Sequence, residues 1–256
     1  MLRHLIPIFL ACLVSIPANA SYELYTPTEY IQAKLKENDI VFLGTTHKKP
    51  RILGFIASLI PSLKGLGVTY IGLEIPSDQQ ERIDAYMQTG SGSDSIILHK
   101  QIDIPQYRHL FEVLRETSGP NPVAIDLPYT KQGGSISRDE WMSRTLLELL
   151  PGKILVVVGN LHIFKKLEWE EQVPNKNLSI RQYIEQERPE TKMWSVGQVI
   201  DKDPGNCDFT QVFGYLPGAV ALDVDDKVKN WKMGLTSSIA ILPAESFELV
   251  DGLIVY

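Results

Sequence analysis

Continuous apolar runs recur along this chain at intervals that leave room for a helix between them. DIVFLG (39–44), VTYIGLEIP (68–76), PVAIDLP (122–128) and KILVVVG (153–159) do not alternate polar and apolar positions. Unbroken runs of this length predict strands buried on both faces. The segments between them carry apolar residues at helical spacing. TPTEYIQAKLKEND predicts a helix entered at Thr26 or Thr28, PRILGFIASLIPSL (50–63) one with proline near its start, and SDQQERIDAYMQTG (77–90) one ending at Gly90. IPQYRHLFEVLRET (104–117) and SRDEWMSRTLLELLPG (137–152) are helical by the same spacing.

Beyond residue 165 the periodicity is less regular. A helix is predicted near 178–188, strands at 192–200, 218–224, 238–243 and 252–256, and a loop at DKDPGNC. Strands alternating with helices specify an α/β fold with a mainly parallel central sheet and helices on both faces. In such a sheet, ligands bind at the carboxyl ends of the strands, where loops converge and helix N-termini point.

Residues 1–20 stand apart from this pattern. MLRHLIPIFLACLVSIPANA has a basic start, an apolar stretch and Ala18-Asn19-Ala20 before Ser21, the layout of a signal peptide cleaved after Ala20. That predicts a periplasmic or secreted protein with no integral membrane span after cleavage, and a single domain over 21–256. Cys207 is then the one mature cysteine, which excludes an intramolecular disulfide and multi-cysteine zinc sites. The net charge of −6, with no basic block, argues against nucleic acid as the main partner and does not identify another. Oligomeric state is not legible in the chain.

The polar residues that end buried strands are the candidates for chemistry. DIVFLG runs into Thr45-Thr46-His47, VTYIGL into Glu74, PVAI into Asp126, and KILVVVG into Asn160-Leu161-His162. Strand polarity alone therefore puts His47, Glu74, Asp126 and His162 on one sheet edge. Glu74 lies among apolar neighbours, where a carboxylate is costly unless paired or bound to a cation. Asp126 has two readings, a site residue or a carboxylate that fixes its own turn. Ser137 and Glu140 have capping-box spacing, which places Arg138 in a first helical turn; there it either holds an anion or pairs with Asp139 or Glu140. His99 and His109, in or beside a helical segment, read as solvated or packing residues, as do the lysines after each histidine.

Gly44 to His47, Glu74 within GLEIP, Arg138 within SRDEWM and Gly159 to His162, in this order, resemble the superfamily that groups Tiki and TraB proteins, erythromycin esterases and ChaN haem-binding uptake proteins. The resemblance covers roughly residues 38–165, and VDGLIVY near the end is also similar. Thr45 departs from the esterase and ChaN pattern, which has an acidic residue there, and moves the chain toward the Gly-Thr-x-His form. The resemblance implies either an extracytoplasmic hydrolase of ester or peptide bonds or a haem- or iron-binding uptake protein without hydrolytic activity. In the hydrolase, which takes a small-molecule or peptide substrate, His47 and His162 hold a divalent metal of the zinc or manganese class, Glu74 is a third ligand or the general base, and Arg138 stabilises negative charge. Without a metal, His47 is the base, oriented by Glu74. In the haem protein, His47 or His162 is the axial ligand, helped by Tyr129 or Met142.

Overall fold

In a computed structural model, the described residues are 22–169, 178–200, 207–233, 240–241 and 245–256. The leader, the loop at 201–206 and most of the strand expected at 238–243 lie outside them. The elements follow the apolar pattern closely. They are α1 (Pro27–Glu37), β1 (Ile40–Thr45), α2 (Pro50–Leu63), β2 (Val68–Pro76), α3 (Gln80–Thr89), α4 (Pro105–Glu116), β3 (Asn121–Asp126), α5 (Arg138–Leu149) and β4 (Lys153–Gly159), then β5 (Glu168–Trp169), α6 (Ile180–Glu187), β6 (Met193–Val199), α7 (Asp208–Phe213), β7 (Val220–Asp223), β8 (Ala240–Ile241), α8 (Ser246–Leu249) and β9 (Gly252–Val255).

Seven strands form one sheet in the order β3-β2-β4-β1-β6-β9-β7. Every pairing in it is parallel except that of β7 with β9, which is antiparallel. Because side chains alternate across a strand, the central strands feed two separate cores. Val41 and Leu43 of β1, with Leu155 and Val157 of β4, pack on the α1–α4 side. Ile40 and Phe42, with Ile154, Val156 and Val158, pack against α5, α6 and α7 on the other side. That two-sided burial explains why the runs are continuously apolar. Leu155→Ala would leave a cavity at a fully buried position, at a cost of about 2–5 kcal/mol.

Alternation also aims the polar residues. Ile71, Leu73 and Ile75 of β2 face the α1–α4 core, so Gly72 and Glu74 face the α5 side. The helix ends hold by local chemistry. Thr26 accepts a hydrogen bond from the Glu29 amide at the start of α1, Ser137 does the same for Glu140 on α5, and Gly90 ends α3 at φ 72°, a left-handed conformation glycine adopts without strain. No helix among the described residues is long and apolar enough to cross a membrane.

Candidate active site

Four adjacent strands, β3, β2, β4 and β1, deliver their last residues to one edge. Glu74 is nearly fully buried there, and its carboxylate is saturated with partners. Oε2 accepts from the Gly159 amide at 2.7 Å, and Oε1 accepts from Arg138 Nη2 at 2.8 Å and lies 3.5 Å from His162 Nε2. Arg138 also forks onto Asp126, with Nε 2.9 Å from Oδ1 and Nη2 2.5 Å from Oδ2. The first turn of α5 therefore lays its guanidinium between Glu74 and Asp126, and not against the neighbouring Asp139 or Glu140. Asp126 also fixes its own turn, since Oδ1 accepts from the Leu127 amide at 2.7 Å.

His162 sits in a short 3-10 turn after β4, with its side chain 15% exposed. Its Nδ1 is 2.9 Å from Asp139 Oδ1, while Nε2 faces Glu74. Burial alone would lower its pKa, but the charges of Asp139 and Glu74 outweigh that and raise it to about 10. His162 is therefore an imidazolium at neutral pH. Glu74 shows the converse balance. Burial would raise its pKa, yet His162, Arg138 and the Gly159 amide hold it well below the usual carboxylate range. Asp126 is likewise held low against burial, by hydrogen bonds from His99 and Arg138.

His47 differs from His162 in every respect but spelling. It is exposed, follows β1 in a turn whose next residue, Lys48, has φ 57°, and has no hydrogen-bond partner or ion pair among the described residues. A cleft of about 240 Å³ opens over it, lined by Thr45, Thr46, Gly159, Asn160 and His162. The three residues converge on Gly159. A Cβ built there would lie 3.4 Å from the His47 ring, 3.5 Å from Glu74 Oε2 and 3.5 Å from the His162 ring. Glu74 does not hydrogen-bond His47, so the orientation expected of it falls instead on Arg138 and His162.

The donor set does not suit the metal centre implied for His47, Glu74 and His162. Among the described residues no group of three His, Cys, Asp or Glu side chains has the arrangement to hold a metal ion. His162 has both ring nitrogens turned to carboxylates, and both Glu74 oxygens are engaged. A haem ligand needs a neutral, free imidazole nitrogen. His162 offers none and Met142 is fully buried in the core beside α5, which leaves His47. Tyr129 packs edge-on against His99, with ring centroids 5.5 Å apart.

Two site residues escaped the sequence reading. His99 donates from Nε2 to Asp126 Oδ2 at 2.9 Å, so it is neither solvated nor mere packing. Asp139 holds His162 and leaves Arg138 alone. Consecutive residues on a helix point about 100° apart, and that angle sends Arg138 and Asp139 to different partners. His109 is exposed and pairs only with Glu112 on its own helix, as expected. Lys165 and Lys166 keep contact with solvent and pair with Asp251 and Glu248.

No family model matches the sequence, and none of the curated proteins matches it, so the likeness to known proteins lies in the fold. Solved structures with this fold include a succinoglycan biosynthesis protein, 12% identical over 89% of this chain and 89% of that one, with a TM-score of 0.67. An erythromycin esterase mutant in its open conformation is 12% identical over 89% of this chain and 92% of its own, with a TM-score of 0.66. ChaN of Campylobacter jejuni, solved with cofacially bound haem, is 14% identical over 70% of this chain and 87% of its own, with a TM-score of 0.52. The chain thus shares its fold with an erythromycin esterase and with ChaN.

Proposed function

We propose that the chain is a hydrolase of ester or peptide bonds, working without a metal and with His47 as general base. The observation that carries this is the division of labour between two histidines that meet around one glycine: His162 is charged and held, while His47 is free and open to the cleft. His47 accepts a proton from water as the oxygen attacks the carbonyl carbon. The oxyanion that forms lies in the positive field of the His162 imidazolium, which lines the cleft, and of Arg138 behind Glu74, both already oriented by buried carboxylates. Collapse of the intermediate expels the alcohol or amine, which takes up the proton held by His47. Glu74 and Asp126 position the two cations and do not react.

The cleft, at about 240 Å³, lies below the roughly 300–1,000 Å³ of pockets that enclose drug-sized ligands, so it suits the reacting group and its immediate substituents. A haem- or iron-carrying role of the ChaN kind is the second reading, favoured by the His47 imidazole, which opens to the cleft and has no hydrogen-bond partner among the described residues. We also propose a periplasmic or secreted location, which rests on the leader composition alone.

The test is hydrolysis of p-nitrophenyl acetate and a panel of ester and peptide substrates, with and without chelator, beside a haemin titration. Turnover that survives chelator and is lost in His47→Ala is expected. Saturable haemin binding lost in His47→Ala, without turnover on any substrate, would overturn the enzyme reading.

A further inference from the structure

Histidines on two separate strands make one site only if the turns that carry them are locked to each other. The lock lies on β6, which contributes no residue to the cleft. Gln198 is fully buried, and its side-chain amide donates from Nε2 to the Gly44 carbonyl at 2.7 Å, at the start of the His47 turn. Its backbone meets the other turn. The Gln198 amide donates to Asn160 Oδ1 at 3.4 Å, and Asn160 Nδ2 reaches the Gln198 carbonyl at 3.4 Å and Thr46 Oγ1 at 3.3 Å. Asn160 lies so close over Gly44 that a Cβ there would come within 2.2 Å of its Oδ1.

A buried amide fits such a place only if its two ends are told apart. Tyr256 does that: its hydroxyl donates to Gln198 Oε1 at 2.5 Å, which leaves Nε2 to face the Gly44 carbonyl. The phenol is kept in its donating form, because burial raises its pKa further than Arg51 lowers it. Arg51 in turn lies over the Tyr256 ring, 5.1 Å from its centre, at the start of the helix that follows the His47 turn.

We propose that Gln198 is a positioning residue that sets the relation of His47 to His162, with Tyr256 fixing the sense of its amide. This deepens the hydrolase reading and rests on it for its effect on turnover, but its structural claim can be read without turnover. The variants are Gln198→Met, which keeps volume and loses both side-chain bonds, and Tyr256→Phe, which frees the amide to invert. The ring resonances of His47 and His162 in a nitrogen–proton correlation spectrum are the direct readout, with exposed His109 as internal reference. Both site histidines are expected to shift while His109 stays.

In p-nitrophenyl acetate hydrolysis, kcat is expected to fall by about tenfold or more at nearly constant KM, since displacing reacting groups by an ångström costs up to about 10²-fold. Tyr256→Phe decides if Gln198→Met fails to fold. Unmoved His47 and His162 resonances in Tyr256→Phe overturn the proposal, whatever the turnover. Moved resonances beside a His47→Ala variant that keeps full activity uphold the positioning and remove the catalytic reading instead.

Discussion

Asp139 Oδ1 stands 2.9 Å from His162 Nδ1, while the guanidinium of Arg138, one residue earlier on the same helix, points to Asp126 and Glu74. One helical turn thus supplies the anion that charges a histidine and the cation that neutralises two carboxylates. The Ser137 cap holds that turn in place.

Replacing His47 with alanine should abolish chemistry and little else. Its ring is exposed and unpartnered, so stability should change by no more than about 0.5 kcal/mol. Loss of a general base should lower kcat about 10²- to 10⁴-fold. Thermal unfolding beside steady-state kinetics separates the two effects.

Arg138→Met should destabilise the fold, because Glu74 and Asp126 would remain buried without their cation. Breaking a buried pair costs about 3–5 kcal/mol; the guanidinium side chain is 42% exposed and water reaches it, so the low end, about 3 kcal/mol, is expected. Urea unfolding at neutral pH measures this. Arg138→Lys should recover part of the stability, since it restores charge without the two-pronged geometry.

Stability should peak in mildly acidic solution. The pKa of His162 is raised from 6.5 to about 10, so its contribution is complete below pH 6.5 and is lost as pH climbs toward 10. The pKa of Glu74 is depressed from 4.5, so its contribution is present above that pH and is lost as pH falls below it. Urea midpoints between pH 3 and 10 should therefore fall on both sides of a maximum at roughly pH 5–6.5. In His162→Gln the decline between pH 6.5 and 10 should largely vanish. An unchanged slope there would show that the imidazole gains no proton affinity on folding.

Two glycine variants should behave oppositely. Gly44→Ala drives a methyl to 2.2 Å from Asn160 Oδ1 and 2.6 Å from Ile163 Cδ1, an overpacking worth about 1–3 kcal/mol in melting or urea experiments. Gly159→Ala meets nothing closer than 3.4 Å, but its methyl occupies the space between His47, Glu74 and His162. It should fold normally and lose turnover.

Much of this was legible in the apolar pattern. The runs at 68–76 and 153–159 coincide with β2 and β4, and the segment at 50–63 with α2, because buried strands and amphipathic helices leave periodic signatures. Strand polarity put His47, Glu74, Asp126 and His162 on one edge, as observed. The short helices α7 and α8 and the two-residue β5 went unread, since four to six residues hold too little periodicity. His99 was missed because it precedes α4 in an irregular segment whose lack of periodicity gives no sign that it faces Asp126. The protonation states were out of reach as well. They depend on Asp139 reaching His162 rather than Arg138, a matter of angle around α5 that no spacing along the chain expresses.

The pairing of β1 with β4 sets Gly44 opposite Val158 and Thr45 opposite Gly159, so the two Gly-x-x-His stretches run one residue out of step. The first continues into an open turn and the second coils into a 3-10 turn. Similar words thus occupy unequal seats. Writing Asn160-Leu161 into positions 45 and 46 would not make His47 a second cation, because the charge on His162 belongs to Asp139 and Glu74 around it and not to the tetrapeptide that carries it.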